Sequence, residues 1–214
     1  MIGYIRFSTV LLTFFLTILT LEMRAQSEIS IGNQIWMKKN LNVDRFRNGD
    51  IIKQAKTKSE WEKAGDSHQP AWCYYKNNSA NGEKYGKLYN WYAVSDPRGL
   101  APLGWHVPTD SDWNEFITQL GDRYLLGERI KSKTGWNNNG NGKNQSGFTA
   151  LPGGTRDASE FSSIRAVAAW WSSSETNSDF ANGYFLESGY DDFSIVEMHK
   201  SFGYSVRCVK DQKK

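Results

Sequence analysis

Apolar residues recur at helical spacing in the stretch Val107 to Gly121 (VPTDSDWNEFITQLG), where Trp113, Phe116, Ile117 and Leu120 stand at i, i+3, i+4 and i+7. Thr109 precedes the run as a helix cap, Asp110 and Asp112 suit the positive end of the helix dipole, and Gly121 closes the turn. The pattern predicts a helix over 110–120 with that apolar side buried. A shorter helix is predicted at Ser59 to Gly65, with Ser59 as cap and Gly65 as terminator. Strand-like runs lie elsewhere. Ile31 to Met37 turns at Gly32 and Asn33 into a first strand, and Asn48-Gly49-Asp50 marks a turn between short β-prone pieces. Toward the C-terminus, Gly147 to Leu151, Ala168 to Ser172, Gly183 to Leu186, Phe193 to Met198 and Tyr204 to Val209 are separated by turn formers. In the last run Tyr204, Val206 and Cys208 alternate with Ser205, Arg207 and Val209, and a C-terminal antiparallel meander is the natural reading. Strands at both ends and helices in the first half predict a single α+β domain with long loops, in which the terminal strands pair.

The first residues change the picture. Met1 to Ala25 places Arg6 ahead of an apolar run from Val10 to Leu21 and ends on a small residue, the order of a secretory signal peptide. The run is about a dozen residues, short of the roughly 20 that a spanning helix needs, so membrane contact is expected only through an uncleaved signal segment. The expected organisation is a signal over 1–25, a spacer over 26–30, one domain over 31–211 and a tail over 212–214. The net charge of +3 comes from both signs scattered along the chain, which excludes the clustered basic footprint of a nucleic-acid binder. Nine tryptophans, ten tyrosines and nineteen glycines predict an aromatic core under much irregular backbone. The two cysteines, Cys73 and Cys208, either pair in an oxidising compartment or serve as small buried residues.

Seven segments then match a known family in order: IGNQIWMKKNLNV (31–43), AWCYY (71–75), YGKLYNWYAV (85–94), GWHVPTDSDW (104–113), SGFTALPGG (146–154), WWSSSE (170–175) and SVRCVKD (205–211). Together they resemble the blocks of the Fibrobacter succinogenes major paralogous domain family. The resemblance implies a secreted or surface protein, periplasmic or on the cell exterior, with no established biochemical activity. It is also similar, at the level of fold, to C-type-lectin-like and formylglycine-generating-enzyme-like domains. Family members commonly carry a cysteine where this chain has Ala101, which separates its cysteine pattern from theirs.

The chemistry-bearing residues are sparse. His68, His106 and His199 have no metal-ligand spacing, and His106 reads as a hydrogen-bonded structural residue. Ser172 to Ser174 beside Glu175 lack a Gly-x-Ser-x-Gly elbow, so Trp170 and Trp171 are expected on opposite faces of a strand whose serines satisfy backbone groups. An oxidase would need neighbouring thiolates, and Cys73 and Cys208 stand alone. A non-catalytic protein is expected. The run WNNNGNGKNQS (136–146) must be a loop, and it joins an aromatic ring to many amides, a combination suited to a sugar. The candidate ligand residues are Trp136, Asn137, Asn138, Asn139, Asn141 and Asn144, with Tyr190, Asp191 and Asp192 supplying a hydroxyl and carboxylates that also suit calcium. The expected partner is a glycan or a surface protein; the competing reading is a structural piece of the cell envelope.

Overall fold

The turn at Gly32 and Asn33 makes a hairpin, seen in a computed structural model that describes residues 27–212. The expected signal, 1–25, and residues 213 and 214 of the tail lie outside the described residues. Strand β1 (Glu28–Ile31) pairs antiparallel with β2 (Gln34–Met37), so Glu28 to Ser30 are half of a hairpin and not the spacer that their polarity suggested. Gly32 takes φ +57°, a left-handed backbone that favours glycine. The hairpin belongs to a four-stranded sheet in which β12 (Val209–Lys210) runs between β2 and β6 (Trp105–His106), while β3 (Lys53–Gln54), β4 (Ala71–Cys73) and β5 (Leu88–Tyr89) form a second small sheet and β7 (Thr155–Arg156) pairs with β8 (Phe161–Ser162). Val209 faces Trp36 on one side and His106 on the other, so the two ends of the domain are joined as expected.

The meander is present as β9 (Val167–Glu175), β10 (Phe180–Glu187) and β11 (Ser194–His199), antiparallel in the order β11-β10-β9. Both faces of β9 and β10 are covered. Ala169, Trp171 and Ala181 join a cluster with Tyr89, Trp91, Tyr204, Val206 and Cys208. On the other face Ala168, Trp170, Tyr184 and Leu186 pack with Trp36, Trp113, Phe116, Phe148 and Phe193. Trp170 and Trp171 therefore do point to opposite sides, and each is fully buried.

Two expected strands differ. Gly147 to Leu151 forms only one bridge, from Ala150 to Lys131, because Gly147 (φ +75°) and Thr149 (φ +57°) leave the extended region. The run from Tyr204 is bridged to Tyr89 and Trp170 before becoming strand only at Val209, and all of 204–209 is buried. Its alternation separates two cores, not core from solvent. Ser205 and Arg207 are consequently buried polar residues.

The helices follow their caps. Helix α1 (Lys58–Asp66) starts after Thr57, not Ser59: Thr57 Oγ1 accepts from the Glu60 N–H at 3.1 Å, and Glu60 Oε2 accepts from the Thr57 N–H at 3.1 Å. Gly65 lies inside this helix against Ser201, and so does not terminate it. The short helices α2 (Ser79–Tyr85) and α3 (Trp91–Val94) are capped by Asn78 and Asn90. Helix α4 (Asp110–Leu120) has the expected bounds and Thr109 cap, with Trp113 and Phe116 fully buried and Ile117 and Leu120 half-buried beside them. Its core-facing rings pack closely: Trp113 lies 4.9 Å from Tyr184 and 4.7 Å from Trp36, centroid to centroid. Helix α5 (Leu126–Ile130) then leads into the Asn-rich loop.

Candidate functional site

Between α5 and Phe148 the chain makes a loop whose asparagines divide into two groups. Asn141 and Asn144 hold the loop: Asn141 Oδ1 accepts from the Trp136 N–H at 3.0 Å, and Asn144 accepts from the Thr149 N–H and donates to Thr149 Oγ1, each at 2.8 Å. Asn137 contributes its backbone N–H to Arg165 O at 2.7 Å. Asn138 and Asn139, at φ +52° and +57°, form the tip, with both side chains exposed. Left-handed backbone is tolerated there because asparagine visits that region more readily than most residues.

Trp136 corrects the expected site. Its ring is buried at 4 % exposure, its Nε1–H donates to Ala150 O at 3.1 Å, and it packs in the cluster of Trp113 and Phe148. The surrounding amides made it look exposed, whereas the ring anchors the loop to the core. The aromatic surface at this place comes instead from Tyr190, 65 % exposed, on the loop between β10 and β11.

That second loop docks directly on the first. A Cβ on Gly140 would fall 2.1 Å from Ser188 O, so only glycine allows the approach. Lys131, its side chain 2 % exposed, donates from Nζ to Tyr190 O at 2.5 Å and reaches Asp191 Oδ1 at 3.4 Å. Burial lowers the Lys131 pKa against the opposing pull of Asp191. Gly127 donates its N–H to Asp191 O at 2.6 Å, fixing the same turn from the other side. The result is a polar cleft of about 260 Å³ lined by Asn138, Asn139, Asn141, Tyr190 and Asp191 over Lys131 and Glu128. Tyr190 also borders an adjoining depression of about 270 Å³, where Asp192 accepts a hydrogen bond from Ser194 Oγ. Asn137, Asn144 and Trp136 do not line the cleft. Lys131, Glu128 and Ser188 were not anticipated, because a lysine after a helix carries no sequence mark of burial.

The remaining chemistry-bearing groups take structural places. Ser173 Oγ donates to Val107 O at 3.1 Å, Ser174 Oγ accepts from the Asp110 N–H at 3.0 Å, and Ser172 Oγ accepts from the Ser174 N–H at 3.1 Å. His106 lies between Asp211 (Nδ1, 2.8 Å) and Asp112 (Nε2, 3.2 Å), and the bond to Asp112 raises its pKa most, with Asp211 adding to it. Of the two alternatives for the cysteines the structure takes the second: Cys73 and Cys208 are free, buried and in different core clusters. Burial pushes their thiols up to about 11 and about 12, and keeps both from the thiolate form. Among the described residues, no group of three or more His, Cys, Asp and Glu side chains is placed to hold a metal, and no helix is long and apolar enough to cross a membrane.

Fold and cleft define a small α+β domain with a loop-built polar cleft at one end of its meander. The family model described as Fibrobacter succinogenes major domain matches residues 29–210, and the chain belongs to that family. No curated protein matches it.

Proposed function

We propose that the protein is an exported, non-catalytic recognition module of the bacterial envelope or surface, which binds a glycan or a surface protein through the cleft between the two loops. The observation that carries this reading is the convergence of Asn138 and Asn139 with Tyr190 and Asp191, from loops far apart in sequence, around one exposed cleft. Amides that donate and accept, a phenol ring and a carboxylate are the groups that recognise a polyol or a polar loop. Export is supported by the order of charge, apolar run and small residue over Met1 to Ala25. The non-catalytic reading is supported by the serine hydroxyls spent on backbone groups and the two thiols kept protonated in the core. A glycan array probed with the protein, with and without calcium, tests it. Binding that falls with Tyr190→Ala and with Asn138→Ala supports the assignment, and binding indifferent to both places the site elsewhere. Loss of binding on calcium removal assigns a cation role to Asp191 and Asp192.

One observation favours the structural alternative. Strand β11 stands at the end of its sheet, with Ile195 38 % and Val196 40 % exposed. An edge of β-branched residues can take another strand. A concentration-dependent dimer in sedimentation, abolished by Val196→Lys, identifies that role.

A further inference from the structure

Each strand of the four-stranded sheet contributes a side chain to one face. Trp36 and Val209 pair and point into one core cluster, so their neighbours Met37 and Lys210 lie on the opposite face; Glu28 stands opposite Met37, and Trp105 opposite Lys210, with Met37 and Trp105 partly buried against the other cluster. Lys210 Nζ joins the row, 2.9 Å from Glu28 Oε2 and 5.4 Å from the Trp105 ring centroid. Beside this row, the segment 39–42 closes a groove of about 740 Å³ lined by Glu28, Met37, Leu41, Asn42 and Trp105. That volume lies within the 300–1,000 Å³ typical of ligand sites.

Three features distinguish the groove from a packing defect. Trp105 is partly exposed at the edge of a core cluster, while the other eight tryptophans are buried. The floor is already rigid: Asn40 donates from Nδ2 to Tyr85 O, and its Oδ1 accepts from Trp170 Nε1 at 2.9 Å and from Arg207 Nη2 at 2.7 Å. A floor so held needs little ordering when a ligand arrives. Finally, its charges oppose one another. Glu28 and Lys210 form a pair, and Lys39 is exposed beside them, so acceptor and donor groups stand together with an indole and a thioether.

We infer that this groove is a second binding site, separate from the loop cleft, and that it takes a neutral oligosaccharide. The C–H face of a sugar ring stacks on Trp105, and its hydroxyls donate to the Glu28 carboxylate and accept from Lys39 and Asn42. A charged ligand would meet one group of its own sign. This site does not depend on the loop cleft being functional.

The full chain titrated with short neutral oligosaccharides of glucose, mannose and xylose, followed by calorimetry and tryptophan fluorescence, tests the inference. Saturable binding is expected, with Trp105→Ala weakening it at least about tenfold, Trp105→Phe weakening it less, and Tyr190→Ala leaving it unchanged. Glu28→Gln keeps the side-chain shape and removes the carboxylate, so it weakens binding even if Trp105→Ala fails to fold. The inference is overturned if no member of the panel binds at about 1 mM, if Glu28→Gln and Trp105→Phe both keep the wild-type affinity, or if binding follows Tyr190→Ala. Preference for acidic sugars or for a peptide overturns the ligand class.

Discussion

Two regions of the core each bury an arginine that forms no ion pair among the described residues, and they treat it differently. Between Phe148 and Trp170, Arg207 is caged: Nε and Nη2 donate to Asn40 Oδ1 at 3.0 and 2.7 Å, Nη1 donates to Phe148 O, and the guanidinium lies 4.1 Å from the Phe148 ring centroid. Between Trp61 and Phe161, Arg156 also lies 4.6 Å from each ring centroid, but only Nη2 finds an oxygen acceptor, Thr57 O at 3.2 Å; Nε and Nη1 are buried without one, with the Cys73 thiol as the other polar neighbour. Aromatic faces alone do not replace water around a cation; the oxygen acceptors decide how well burial is tolerated. Even in the cage, burial lowers the Arg207 pKa to about 9.

The sharpest way to break this contrast is to open the cage. Asn40→Ala removes the acceptor of both Arg207 and Trp170 and leaves a buried cation short of partners, so a loss of about 3 to 5 kcal/mol is expected in a denaturant melt. A loss below about 1 kcal/mol would mean that the arginine does not need its cage. In the poorer site the sign should reverse. Arg156→Met keeps an unbranched apolar stem between the two rings and removes the orphan donors, and is expected to be about 1 kcal/mol more stable. Destabilisation by more than about 2 kcal/mol would show that Arg156 has an acceptor in solution.

Charge at the surface should matter less, and its pH dependence extends the comparison. His106 is drawn upward in pKa by Asp112 and Asp211, so its contribution is fully present below its unfolded pKa of about 6.5 and is lost as pH rises through the higher folded value. Burial of Asp112 opposes its ionisation, yet hydrogen bonds from His106 and Thr109 hold its pKa below the ordinary range, so the carboxylate persists across that window. The cost of His106→Ala, below about 1 kcal/mol because the pair is part-exposed, should therefore shrink between acidic and alkaline melts. A cost that does not vary with pH would assign His106 a packing role only. The smallest effect is expected at Tyr190, where alanine should change stability by no more than about 0.5 kcal/mol while altering binding at the loop cleft. A melting point that drops by many degrees would make Tyr190 part of the fold and disqualify it as a ligand probe.

What was legible in the sequence was local. Helix α4 could be read to the residue because Thr109, the spacing of Trp113 and Phe116, and Gly121 all act within a few positions of one another. The meander was equally readable from β-prone runs and turns, although Gly147 and Thr149 broke one strand through backbone angles that composition does not display. Failures occurred where a distant partner decides. Trp136 looked exposed among amides because nothing nearby shows that Ala150 O receives its indole N–H. The alternation around Arg207 does not show that both sides of the run are buried, because the second core, around Phe148 and Trp170, is assembled from other parts of the chain. At the candidate site the amides and Tyr190 were named, but Lys131, which ties the two loops, was not.

The position of β12 also has a consequence in time. Val209 is an inner strand residue, and until it is made neither Trp36 nor His106 has its neighbour in the sheet. The β1–β2 hairpin is only marginally stable alone, and contacts between parts of the chain far apart in sequence are the slowest to be found. A nascent chain halted before Val209 would hold its first sheet open. The sheet therefore closes only once Val209 is available, with β12 acting as the closing strand.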